Sequence, residues 1–317
     1  MKHIMQPTVK SKALNQEASL TCKKIFPEHT KSPTQGELQN LILLIKGNGG
    51  GETEIKMVGM WWLWIRKMFI ENTITQAEKR KIMTVGVGAA LGLHKVIFIS
   101  SRSPELLHAQ VDSQGDKTLP RSQQALQKLE RIVSKSNEFL PTNLVLAFAD
   151  LAIDNFEKIE ATCNIESMVD QNLQKLKEIA QNVNLSCVRI LQISDLFNKG
   201  LGRKLNSIIH RNGTILNRID VPKKADSLIE IGSRESIESH QKMFGWSREQ
   251  SFQHSRNLAI TMGLVGESLQ SQFPNGIIIH NEAFIARGRW NNLFTDPNNP
   301  IPVICLRDLL EKKRSKG

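Results

Sequence analysis

Tyrosine is absent from this chain of 317 residues. Any chemistry built on a phenolic hydroxyl, as nucleophile or as general acid, is therefore excluded. Cysteine is scarce: Cys22, Cys163, Cys187 and Cys305 stand far apart, with no C-x-x-C pair. That spacing supports neither a disulfide framework nor a zinc site, and all four read as ordinary reduced thiols. No H-E-x-x-H or paired-histidine spacing occurs, so no metal is expected, and the G-x-S-x-G elbow of hydrolases is missing. Long apolar runs are missing as well. The most hydrophobic stretch, Met57–Ile65, lies between Lys56 and Arg66 and is about half the length that crosses a bilayer. Met1–Lys12 lacks the apolar centre of a secretory leader, which makes cytoplasm the expected location.

Acidic residues are in deficit. Lys and Arg number 42 against 31 Asp and Glu, a net charge of +11. Such a balance speaks for an anionic partner: nucleic acid, a phosphorylated small molecule or an anionic membrane surface.

Along the chain, residues 1–36 are polar, Lys-rich and interrupted by Pro7, Pro27 and Pro33, which predicts a loosely ordered, dispensable arm. Leu41–Ile45 and Glu54–Val58 flank Lys46-Gly47-Asn48-Gly49-Gly50-Gly51, a pattern that predicts a flexible β-hairpin. Glu52 and Glu54 follow these glycines where a P-loop needs Lys-Ser/Thr, and two acids would repel phosphate. Trp61–Ile65 fits either a contact with a membrane surface or a core or partner contact, the second being the commoner use of tryptophan clusters. These features group as a poorly ordered basic arm with a hairpin and aromatic segment over 1–80. An α/β Rossmann-like domain over 81–317 follows, with a mostly parallel sheet flanked by helices.

The signal for that domain is a set of short apolar runs that each end in reactive polar residues. Lys95–Ile99 runs into Ser100, Ser101, Arg102 and Ser103; Leu144–Ala149 runs into Asp150, with Asp154 next. Val188–Ile193 runs into Ser194 and Asp195, and Gly276–Ile279 into His280, Asn281 and Glu282, with Arg287, Arg289 and Trp290 close behind. A last strand is expected at Pro302–Leu306. Helical faces appear at Ala125, Leu129, Ile132 and Val133 and at Val169, Leu173, Leu176, Ala180 and Val183. Ser247-Arg248-Glu249-Gln250 has the form of a capping box opening a helix to about Gln272.

In open parallel sheets, ligands sit beyond the carboxyl ends of the strands. Asp150, Asp195, His280 and Glu282 are therefore expected to line one cavity as acid, base and orienting groups. Ser100, Ser101, Arg102, Asp154, Arg203, Lys204, Arg287 and Arg289 are expected to hold substrate. Asp150 and Asp154 equally suit a helix cap. The stretch Lys199–Lys224 carries Arg203, Lys204, Arg211 and Arg218 against the single acid Asp220, a pattern able to track phosphates or simply a solvated face. Gly86-Val87-Gly88-Ala89-Ala90-Leu91-Gly92 imitates a dinucleotide fingerprint. Too few residues separate it from the next apolar run for the required helix, so a glycine-lined bend or tight hairpin is expected and no cofactor is assigned.

The order of serine-bearing strand end, helix and acid-bearing strand over about Lys95–Asp150 is similar to that of the tRNA-dependent cyclodipeptide synthases. The resemblance implies a Rossmann-like fold and a catalytic serine. It departs from that family in lacking the tyrosine that assists its chemistry. The expected function is a transferase acting on a nucleotide or RNA-linked, phosphate-bearing substrate. The alternative is a non-catalytic nucleic-acid- or partner-binding protein using residues 199–224.

Overall fold

A computed structural model describes residues 12–29, 34–68, 74–102, 119–148, 165–185, 188–192, 230, 237–238, 241, 245–280 and 290–305. Its centre is a five-stranded, all-parallel sheet: β1 (Val96–Arg102), β2 (Thr142–Phe148), β3 (Val188–Gln192), β4 (Gly276–His280) and β5 (Val303–Cys305), in spatial order β3-β2-β1-β4-β5. The fold is α/β, with helices on both faces. The strands read as near-continuous apolar runs because residues on both sides are covered. Every described side chain of β2 except Asn143 is buried.

Among the described residues, six helices line one face or extend from it: α1 (Lys12–Ile25), α2 (Thr34–Gly47), α3 (Glu52–Arg66), α4 (Gln76–Ala90), α5 (Leu119–Asn137) and α6 (Ile165–Asn182). One continuous core joins them to Val96, Phe98, Leu144, Leu146, Phe148, Ile277, Ile279 and Ile304 of the sheet. In α5 the predicted Leu129, Ile132 and Val133 are buried, with Leu126 in addition, and in α6 the predicted Leu173, Leu176 and Ala180 are buried. The other face carries Ile99, Val145, Ala147, Leu191, Ile278 and Val303. It is covered by Ile260, Leu264, Val265 and Leu269 of α7 (Arg248–Gln272). The Ser247 hydroxyl accepts from the Gln250 amide and the Gln250 side chain accepts from the Ser247 amide, the capping box expected from sequence.

The amino-terminal region differs from expectation. Leu41–Ile45 and Glu54–Val58 are not paired strands but parts of α2 and α3. The glycines between them end one helix and begin the next. Gly49 takes φ +82°, the Gly49 amide donates to Lys46 O and the Gly50 amide to Ile45 O. This is a Schellman closure, the other structure that left-handed glycine serves. Gly51 is then the N-cap of α3. Leu41, Ile42, Leu43, Leu44 and Ile45 are all buried, and a helix buried all round shows no 3.6-residue periodicity.

The arm is likewise structured from Lys12 to His29: Ala18, Cys22 and Phe26 belong to the main core. Burial raises the Cys22 thiol above its ordinary pKa.

The glycine-rich stretch 86–92 is neither fingerprint nor hairpin; it belongs to α4 and its cap. A Cβ on Gly86 would stand 2.7 Å from the Trp61 ring and one on Gly88 2.1 Å from His94 Nε2. These two positions let α3 and His94 approach α4 closely. Gly92, at φ +69°, closes the helix as Gly49 does, with the Leu93 amide donating to Gly88 O.

Trp61 and Trp62 are fully buried, as is Ile65. They are unavailable to a membrane surface, which overturns that reading of the aromatic segment. Among the described residues, no helix is long and apolar enough to cross a membrane.

Candidate functional site

The chain proceeds outward from β1 through α5 to β2 and through α6 to β3, then returns so that β4 lies against the opposite side of β1. At the point where strand order reverses, connections leave the two neighbouring strands in opposite directions. In open parallel sheets such a point is where a ligand crevice forms at the carboxyl edge. The reversal lies between β1 and β4. The class of protein defined is thus a doubly wound α/β protein with a switch point between β1 and β4.

Register decides which residues meet there. Ile97, Phe98 and Ile99 pair with Gly276, Ile277 and Ile278, and the same register continued two residues beyond that ladder aligns Ser101 with His280. Ser101 also pairs with Ala147, and His280 with Cys305. Four adjacent strands therefore place Ala147, Ser101, His280 and Cys305 in one row at or one residue before their ends. Neighbours in such a row are about 4.8 Å apart across the sheet. At Ser101, Arg102, His280 and Cys305 the backbone alone is described.

Of the residues expected from sequence, Ser100, Ser101 and Arg102 are the last three of β1, and His280 is the last of β4. The Ser100 side chain is buried, 2 % exposed. Asp150 follows the end of β2 by two residues, Asp195 the end of β3 by three and Glu282 the end of β4 by two. These three, with Asp154, Arg203, Lys204, Arg287 and Arg289, lie outside the described residues. Cys305 is an addition. Nothing in its local sequence marks it, and only its pairing with His280 brings it to the site.

The α7 side adds one further group. The turn Phe273–Asn275 joins the end of α7 to the start of β4, so the helix runs back along the sheet and its N-terminal half lies toward the carboxyl edge. There Trp290, 3 % exposed, packs on Ala259. Its indole Nε1–H is buried with no hydrogen-bond partner among the described residues. A donor left in that state is available to a ligand oxygen.

No family model matches the chain, and no curated protein matches it either. Among solved structures, that of PvcA from Pseudomonas aeruginosa is similar, with a TM-score of 0.48 and 10% sequence identity over 73% of this chain and 76% of that one. The likeness is too distant to bear on chemistry.

Proposed function

We propose that the protein is a transferase that takes a nucleotide or an RNA-linked, phosphate-bearing substrate in the crevice between β1 and β4. One observation carries this reading: the reversal of strand order coincides with the polar strand ends Ser100, Ser101, Arg102 and His280. A site of this kind places a ligand against backbone and side-chain donors from several strands. The net charge of +11 favours an anionic substrate. In this reading Arg102, Arg287, Arg289, Arg203 and Lys204 supply cations for phosphate, and Asp150, Asp195 and Glu282 supply the acid and base roles around His280.

The test is binding. Nucleoside triphosphates, the matching nucleosides and bulk transfer RNA are titrated against the full chain, following melting temperature and fluorescence anisotropy. A phosphate-bearing compound is expected to bind, its parent nucleoside not, and Asp150→Asn is expected to abolish binding at unchanged stability. Absence of binding by every phosphate-bearing probe would overturn the proposal. RNA binding that survives Asp150→Asn but is lost on neutralising Arg203 and Lys204 would support the non-catalytic alternative instead.

A further inference from the structure

We propose that His280 and Cys305 are a base and nucleophile pair, with Ser101 as the third member, and that Cys305 carries an acyl group from a phosphate-bearing carrier to an acceptor amine. The proposal deepens the transferase reading and rests on it for the carrier.

The argument starts from the pleat. Residues two apart on a strand share a face. Ile99, Ile278 and Val303 are buried under α7 at 0 %, 2 % and 4 % exposure. Two residues on, His280 pairs with Cys305, and the β1 register continued by two residues aligns Ser101 with them, so the three positions share one pleat face, one row nearer the carboxyl edge. The apolar floor thus ends in three adjacent positions that carry a hydroxyl, an imidazole and a thiol. Hydrophobic packing does not call for that combination, and it appears where strand order reverses.

Nucleophilic catalysis needs a nucleophile beside a base and a third group to orient the base. Among the two nucleophiles beside His280, the thiol is the easier to activate, because its ordinary pKa lies nearer neutrality than a hydroxyl's. Its pairing with His280 is also direct. The step balances without a further reagent. The Cys305 proton passes to the His280 imidazole as Sγ attacks the acyl carbon. The C–S bond forms, the bond from acyl carbon to carrier oxygen breaks, and the electron pair and the proton leave with the carrier. An acceptor amine then attacks the thioester, its proton passes to His280, the C–S bond breaks and the thiolate returns. The unpaired Trp290 N–H on the α7 side is a donor of the type that stabilises the intervening oxyanion.

The test does not need the natural substrate. The full chain is alkylated with iodoacetamide, and each cysteine is followed by peptide-resolved mass spectrometry. At about pH 6 Cys305 is expected to react roughly tenfold faster than glutathione, while buried Cys22 stays protected. His280→Gln should return Cys305 to the glutathione rate, with Ser101→Ala giving a smaller loss and circular dichroism reporting the fold. Should His280→Gln not fold, the wild-type pH profile decides: a rate that persists below about pH 7 supports the pair, and one that falls with a free thiol's titration overturns it. Acetyl phosphate is then supplied as acyl donor. A hydroxylamine-labile acetyl group on Cys305, absent from Cys305→Ser, is expected, and its absence would overturn the acyl assignment. A reactive, His280-dependent Cys305 in a protein that binds no phosphate-bearing probe would overturn the carrier and keep the pair. Binding with an unreactive Cys305 would do the reverse.

Discussion

The helical layer around α3 and the carboxyl edge of the sheet both bring polar residues of distant segments together, yet they do so differently. Around α3 the groups are paired across elements. The Glu37 carboxylate of α2 accepts from Trp62 Nε1 at 3.2 Å and faces Arg66 Nε at 3.0 Å and Lys79 Nζ at 3.5 Å. Trp61 Nε1 donates to Ser136 Oγ at 2.9 Å, and that hydroxyl lies 2.7 Å from Thr142 Oγ1. Glu78 Oε2 caps α4 through Thr75, and its Oε1 accepts from the Val303 amide at 3.3 Å. At the carboxyl edge, by contrast, His280 pairs with Cys305 and the register aligns Ser101 with them where strand order reverses, and Trp290 N–H is buried without a partner among the described residues. Paired groups of the first kind hold helices to the sheet. The Trp290 N–H, by contrast, has capacity left for a ligand.

The sharpest break of this comparison comes from Trp61→Ala. It empties a fully buried site and strips Ser136 of its donor, which should cost about 3–5 kcal/mol in urea unfolding. A loss under about 1 kcal/mol would mean that the layer is not part of the cooperative core. Next, Glu37→Gln leaves Arg66 and Lys79 facing a neutral amide. Their side chains are 19% and 8% exposed, and the expected cost is about 2 kcal/mol, measured in the same assay.

At the other region, Ser101→Ala and His280→Gln should each change stability by less than about 0.5 kcal/mol while lowering Cys305 alkylation. A large stability loss with no change in alkylation would erase the distinction between the two regions.

The smallest effect concerns pH. Burial holds His94 below its ordinary pKa of 6.5, and the nearby Lys81 cation adds to this against the opposing hydrogen bond with Lys95 O. The unfolded chain then binds the proton more readily than the folded one. The His94 contribution is full above about pH 6.5 and is lost as pH falls through and below that value. Melting temperatures from about pH 7.5 to 5 should fall less steeply for His94→Gln than for the wild type.

Much of the sheet was legible before any coordinates. Lys95–Ile99, Val188–Ile193 and Gly276–Ile279 each announce a strand because short β-branched or apolar runs between polar breaks have no room for a helix. Ser247 through Gln250 announced α7 through two reciprocal hydrogen bonds that need only four residues. The amino-terminal helices were not legible for the converse reason. Leu41–Ile45 and Trp61–Ile65 are buried on nearly every side, so they carry no stripe, and Gly49 serves a helix cap with the same left-handed φ that a hairpin turn would use.

The sequence by itself determined that strands and helices alternate after the amino-terminal region, that phenolic chemistry is excluded, and that polar residues follow the strands. Those properties are local, set by patterns within a few residues or by composition. Tertiary structure alone decided that α1 to α4 pack against the main core, and that His280 pairs with Cys305 in the row to which the register brings Ser101. Strand order and register depend on which faces bury each other across a chain separation of some two hundred residues, and no local pattern records that choice.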